Sequence, residues 1–141
     1  GVALPLLECR PAELVVVNRT RASADVLALQ CAPKDNPFVK VGARDFAELD
    51  APFDVVVNAT SASLNGELPP LPAAAFGPHT LALDMMYGAQ PTVFMQFAAG
   101  HGAQVRDGLG MLVEQAAEAF FLWRGVRPET EAVLARLRAA L

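Results

Sequence analysis

Four short polar clusters interrupt a mostly apolar sequence, and each carries residues capable of ligand chemistry. They are Asn18-Arg19-Thr20-Arg21, Asn58-Ala59-Thr60-Ser61, Asp84-Met85-Met86-Tyr87 and Asp107-Gly108-Leu109-Gly110. The first places two guanidiniums and a hydroxyl within four residues. A guanidinium is a planar fork of N–H donors matched to phosphate oxygens, and a threonine hydroxyl adds another donor. A plainer alternative stays open, in which Thr20 caps a helix and both arginines are solvated. The second cluster is either a polar turn or a backbone platform beside a ligand. In the third, Asp84 reads as a structural cap before it reads as a catalyst, and Tyr87 is the single tyrosine of the chain. The fourth opens a helix. There Gly108 and Gly110 let backbone come close to a ligand, and Met111 and Gln115, four apart, share a face. Gln115 needs a partner if that face is buried and none if it is solvated.

Other residues with chemical potential are isolated. His79 and His101 lie in no triad and at no metal-ligand spacing, and Cys9 and Cys31 form neither a metal motif nor a disulfide framework. The cysteine usage suits a reducing, cytoplasmic compartment. No metal site is expected.

The elements that must position the clusters follow from periodicity. Short β-branched runs at residues 13–17 and 53–57, with a third strand at 80–84, read as buried strands. Weaker strands are expected at 38–41 and 102–106, and the Pro-rich stretch 33–37 reads as a turn. Helices are expected near Leu4, over 22–31 with Ala24, Leu27, Ala28 and Cys31 on one side, and over 92–100 and 109–123. Gly125 is placed to end the strongest of them, and Pro128 to start the last. Residues 62–79, with Asn65-Gly66 and four prolines, read as a long loop with at most one helical turn. Strands alternating with helices give an α/β fold with a doubly wound parallel sheet, in which ligands bind beyond the carboxyl ends of the strands. All four clusters follow predicted strands.

Composition excludes several functions. The chain has 141 residues, 53% hydrophobic and 18% charged, with net charge −4. That is one domain's length with a real core, and no basic stripe for nucleic acid. No apolar run reaches the roughly 20 residues of a membrane span. A mean hydropathy of +0.32 is high for such a chain, and surfaces meant for a partner would account for it. In a dinucleotide fold, an acid after the second strand binds the ribose of NAD, whereas an arginine accommodates the 2′-phosphate of NADP. Here that place holds Arg19 and Arg21, with no acid among residues 18–21.

Taken in order, these segments resemble the carboxy-terminal part of shikimate dehydrogenase. The resemblance is carried by Asn18-Arg19-Thr20, by Asn58-Ala59-Thr60-Ser61, and by Asp84 and Met85 with Tyr87. It is carried most specifically by Gly108-Leu-Gly-Met-Leu-Val-x-Gln-Ala116 with Phe120 and Trp123. It implies a Rossmann-like NADP-binding domain over residues 1–141, lacking its first strand and Gly-rich turn, in an enzyme that reversibly reduces 3-dehydroshikimate to shikimate in aromatic amino acid biosynthesis. It also implies site roles. Asn18, Arg19 and Thr20 would hold the adenosine end of NADP, with Arg21 standing in for a second basic residue where the chain has Ser23. Asn58, Ala59, Thr60 and Ser61 would line the cofactor cleft, and Met85, Gly108 and Met111 would lie near the nicotinamide. Tyr87 and Gln115 would meet the substrate.

The catalytic Lys and Asp of that family belong to an amino-terminal substrate domain, and neither Lys34 nor Lys40 has their context, so no catalytic residue is expected in this chain. The helices over 109–141 are expected to pack toward that domain, with a second copy of the chain as a further candidate partner. Alone, a chain of this extent is expected to be weakly stable, prone to associate through the open edges of the strands near Val16 and Val56, and inactive. Two rival readings stand beside this one: a quinate/shikimate dehydrogenase using NAD, and a non-catalytic nucleotide-binding module.

Overall fold

The Val-rich run ahead of Asn18 forms a strand because β-branched side chains suit a pleated surface, and polar residues end it where pairing stops. In the computed structural model, which describes residues 1–32 and 39–141, this is β1 (Glu13–Val16). It follows a short helix, α1 (Ala3–Glu8), which buries none of its residues. The expected turn at 33–37 and the start of the strand expected at 38–41 lie outside the described residues.

Two compact units divide the chain: Gly1–Asp50 with Pro70–Ala74, and Ala51–Pro69 with Ala75–Leu141. In the first, β1 pairs in parallel with β2 (Lys40–Ala43), Val16 opposite Ala43. Between them in sequence runs α2 (Arg21–Cys31), which buries Ala24, Ala28 and Cys31. Leu27, expected on that buried side, is exposed. Small residues on the inner face let the helix lie close to its sheet, so Leu27 is turned to the flank. A 3₁₀ turn at Phe46–Glu48 follows β2, and Leu49 behind it is buried.

The second unit holds a three-stranded parallel sheet in the order β3 (Val55–Asn58), β4 (Leu81–Asp84), β5 (Gln104–Arg106). Asn58 stands opposite Asp84 in the register, so two of the polar clusters begin side by side. The long loop contains two 3₁₀ turns, Ala62–Asn65 and Ala73–Ala75, where one was expected. Helix α3 (Val93–Gly100) crosses from β4 to β5. Its Phe94 is fully buried and meets Phe76 edge-on at 6.0 Å, and Phe76 also packs against Phe97 at 5.8 Å. Edge-on aromatic contacts at this spacing add to the area term that already favours burial.

Helix α4 (Leu109–Arg124) buries Leu109, Val113 and Ala117, a stripe spaced by four residues. It stops at Gly125, whose φ of +69° is costly for other residues and whose N–H donates to the Phe121 carbonyl at 2.7 Å. The last helix, α5 (Glu131–Ala140), begins three residues later than Pro128. The cause lies in the connection, where Arg127 reaches back to Glu114, at 3.0 Å, and to Glu118. With Arg127 so engaged, residues 126–130 stay irregular until the Thr130 carbonyl accepts the first helical bond, from the Leu134 N–H.

Among the described residues, β1 pairs with β2 alone and β3 with β4 alone, so each keeps one unpaired edge. No described helix is long and apolar enough to cross a membrane.

Candidate functional site

In the first unit the candidate residues sit where β1 gives way to α2. Asn18 Oδ1 accepts the Thr20 N–H at 2.9 Å, a local turn that ends the strand. Thr20 takes the cap position of α2, yet its hydroxyl makes no cap bond. The first turn of α2 carries no acid. The positive end of the helix dipole and its free N–H groups are therefore not already neutralised. Arg19 is exposed, and among the described residues no carboxylate pairs with it.

Arg21, expected as a second phosphate ligand, is engaged within the chain. Its Nε donates to Asp25 Oδ1 at 3.0 Å and its Nη2 to the Ala43 carbonyl at 3.1 Å. Its Nη1 lies 3.3 Å from both Asp45 and Glu48. The hydrogen bond to Asp25 is the main cause that raises its pKa further above the usual guanidinium value. All three nitrogens are engaged. The sequence spacing put Arg21 beside Arg19 but could not show three acids, two of them over twenty residues away, gathered around one of the pair.

In the second unit the other three clusters converge beyond the carboxyl ends of β3, β4 and β5. Asp84 is fully buried and organises them. Its Oδ1 accepts from Asn58 Nδ2 at 3.3 Å and from the Met86 N–H at 3.1 Å. Its Oδ2 accepts from the hydroxyls of Ser63 and Thr92, each at 2.6 Å. The reading of Asp84 as structural thus fits its contacts: four neutral donors surround it, and they hold four different segments. Asn58 is also buried, and its Oδ1 accepts both the N–H and the hydroxyl of Thr60. Its side chain faces inward, into this network, while Ala59, Thr60 and Ser61 are exposed at the end of β3.

The Met85-Met86 loop is in turn pinned to the start of α4. Gly108 donates its N–H to the Met86 carbonyl at 3.0 Å, and a Cβ at Gly108 would stand 2.0 Å from the Met85 carbonyl oxygen. Gly108 is buried, so the close approach that its lack of a side chain permits is to the chain's own backbone. Gly110 has open space where a side chain would be. Tyr87 is 42% exposed, Met111 is half-buried and Gln115 is exposed, so Gln115 needs no partner within the chain. Asp107 Oδ1 accepts the Leu109 N–H at the start of α4, at 3.3 Å, and the carboxylate accepts from both terminal nitrogens of Arg138, each at 2.6 Å. The Arg138 fork is the main cause holding the Asp107 carboxyl below its usual pKa.

Two members of this network carry no signal in the clusters themselves. Thr92 could have been found from its place just before a helix, since threonine is a preferred cap, and its Oγ1 does accept the Met95 N–H at 3.2 Å. Ser63 lies in the long loop and offers no such pattern. Beside the network, Gly88, Gln90, Pro91, Met95, Arg106 and Arg138 line part of an open cavity of about 250 Å³.

Comparison with known proteins identifies relatives of this chain. A family model for the shikimate 5'-dehydrogenase C-terminal domain matches residues 108–138, from the pinned glycine to the arginine of the Asp107 fork. A shikimate dehydrogenase (NADP(+)) of Herminiimonas arsenicoxydans is 63% identical over 141 residues, covering 100% of this chain and 50% of that protein. A second, from Janthinobacterium, is 60% identical with the same coverage. Among solved structures, shikimate 5-dehydrogenase of Thermus thermophilus, in complex with NADP(H) and shikimate, superposes with a TM-score of 0.81 at 32% identity, covering 99% of this chain and 50% of that one. An Ael1 enzyme from Pseudomonas putida gives 0.83 at 46% identity, covering 95% and 48%. The chain spans about half the length of the curated relatives it matches. Its fold is α/β and Rossmann-like, and over its whole length the chain is similar to one half of shikimate dehydrogenases, with the C-terminal domain model matching its last part.

Proposed function

We propose that this chain is the cofactor-binding half of an NADP-dependent shikimate dehydrogenase, which reversibly reduces 3-dehydroshikimate to shikimate in the cytoplasm, on the route to aromatic amino acids. The observation that carries the NADP reading is the end of β1: an exposed Arg19, an acid-free first turn of α2, and no carboxylate among residues 18–21. These residues fit a 2′-phosphate, which an acid would repel and an exposed guanidinium attracts. When bound, the cofactor supplies the hydride, while the protein binds and orients it.

On this reading Asn18, Arg19 and Thr20 hold the adenosine end, the exposed Ala59, Thr60 and Ser61 line the cleft, and Met85 and Met111 lie near the nicotinamide. Asn58 and Gly108 shape that cleft from beneath through their inward contacts. Tyr87 and Gln115 present a hydroxyl and an amide, both exposed, to a polyhydroxylated substrate. Catalytic acid–base groups come from the other half of the enzyme, so the 141-residue chain alone is inactive. Helices α4 and α5 pack toward that half. Phe120, Phe121, Leu122, Trp123 and Val126 support this, because they leave exposed apolar surface at the end of α4 that no other described residue covers.

The test is steady-state turnover by the full-length enzyme with shikimate and either NADP or NAD, followed by nicotinamide absorbance. Shikimate-dependent reduction of NADP in preference to NAD is expected. An NAD preference would overturn the cofactor assignment in favour of the quinate/shikimate rival. Binding of nucleotide without any shikimate-dependent reduction would favour a non-catalytic module.

A further inference from the structure

We infer that Arg21 is a positioning residue and not a phosphate ligand, so that of these two guanidiniums it is Arg19 that discriminates between 2′-phosphorylated and unphosphorylated dinucleotides. The inference rests on the NADP reading and assigns its specificity to one of two neighbouring guanidiniums.

The contacts of Arg21 join three segments. From the first turn of α2 it reaches Asp25 on its own helix, the Ala43 carbonyl at the end of β2, and Asp45 and Glu48 around the following 3₁₀ turn. Glu48 Oε2 also accepts the Asp45 N–H at 2.6 Å, so the group that Arg21 holds is itself bound to the turn's backbone. The end of β2 is fixed on its other side by the Arg44 N–H, which donates to the Val16 carbonyl at 3.1 Å. Arg21 therefore sets the distance between the tip of β2 and the start of α2, the two structures that flank residues 18–20.

Electrostatics exclude Arg21 from a second role. Three carboxylates surround one guanidinium, from Asp25, Asp45 and Glu48, and leave that spot with a net negative charge. A phosphate carrying close to two negative charges is repelled there. Recruiting Arg21 would also mean breaking bonds from all three of its nitrogens. Arg19, two residues earlier, is exposed and carries no such partners among the described residues. The acids around Arg21 thus direct a dianion toward Arg19 and away from themselves.

The experiment compares kcat and KM for NADP and NAD in the full-length enzyme and its variants. Arg19→Ala is expected to raise KM for NADP about 10- to 100-fold, as loss of a charge-assisted bond does, with NAD little changed. Arg21→Ala is expected to raise KM for both dinucleotides by a common factor, with kcat retained and the NADP/NAD ratio held within about twofold. A purely structural role for Arg21 would lower kcat with the folded fraction and leave KM unmoved, which would overturn the inference. So would a loss confined to NADP in Arg21→Ala. Should that variant not fold, Arg21→Gln keeps a donor near the place of Nε, beside Asp25, but loses the reach of the two terminal nitrogens to Ala43 and Glu48, so the same expectations apply. Wild-type preference for NAD would instead bring down the NADP reading itself.

Discussion

Thr92 Oγ1 donates to Asp84 Oδ2 at 2.6 Å while the same oxygen accepts the Met95 N–H at 3.2 Å, so one hydroxyl both caps α3 and satisfies the buried carboxyl group. The helix that crosses from β4 to β5 is thereby bolted to the strand end that carries the Met85-Met86-Tyr87 loop. Thr92→Ala removes a cap and leaves Asp84 one donor short. A loss of about 2–3 kcal/mol is expected from the two effects together. Thr92→Ser keeps the hydroxyl and should stay within about 0.5 kcal/mol of the parent. Urea unfolding followed by circular dichroism separates the two; equal losses would mean that the hydroxyl contributes nothing.

At Asp84 itself, the choice of replacement decides the outcome. Asn keeps an oxygen for Asn58 Nδ2 and the Met86 N–H, and its amide donates to the Ser63 and Thr92 hydroxyls, which accept as readily as they donate. Ala strands four donors in a fully buried place. Asp84→Ala should therefore cost about 3–5 kcal/mol and Asp84→Asn clearly less. Matching unfolding curves for the two variants would contradict the network.

Two glycines two residues apart should respond in opposite directions. Gly108→Ala sets a Cβ 2.0 Å from the Met85 carbonyl oxygen and 2.6 Å from its carbon, both backbone atoms that cannot step aside. The Gly108 N–H bond to Met86 would be lost with the displacement, and a cost of about 3 kcal/mol or more is expected. Gly110→Ala meets nothing within 4 Å, so better helix propensity should raise stability by up to about 1 kcal/mol. Thermal unfolding of both variants is the measurement, and a stable Gly108→Ala protein would mean that α4 does not start against the Met85 backbone.

Most of the fold was legible because its strands are short β-branched runs and its helices begin or end at residues with specific backbone roles. Gly125 and Thr92 act locally, and local rules find such residues. The start of α5 was misplaced because Pro128 favours a first helical position, while the pull of Arg127 toward Glu114 and Glu118 is a tertiary effect. The candidate site was legible as four clusters but not as a division of labour. Asn58 and Gly108 turned out to face inward, and Arg21 to be held by three acids, because side-chain direction and distant partners are not encoded in spacing.

Acid should remove the contribution of the fork between Arg138 and Asp107. The folded pKa of Asp107 lies below its ordinary value of 3.8, so the folded state binds that proton less readily than the unfolded one. Stability from this pair is fully present above pH of about 4 and is lost as pH falls through the depressed value. Arg138→Ala should thus lower Tm at pH 7 and lower it less at pH 3, where the carboxyl group is protonated in more of the population. The measurement is Tm for parent and variant across that range. A difference that stays constant with pH would show that Arg138 acts through packing of its alkyl chain and not through the fork.

The last turn of α4 should distinguish the chain on its own from the full-length enzyme. Leu122 is 73% and Trp123 80% exposed, with Phe120, Phe121 and Val126 beside them, a concentration of apolar surface larger than scattered exposed residues would give. If α4 packs toward the other half of the enzyme, this surface is covered there and open in the isolated chain. Leu122→Gln with Trp123→Gln should then leave the isolated chain's thermal unfolding nearly unchanged and reduce its self-association in sedimentation. In the full-length enzyme the same pair should cost about 2–5 kcal/mol, the range for removing large buried apolar side chains. Because Trp123 is the single tryptophan of the chain, its emission gives an independent readout, that of a water-exposed indole in the isolated chain. The packing proposal fails if the double variant leaves the full-length enzyme as stable as before, since a surface that nothing covers loses nothing when it is made polar.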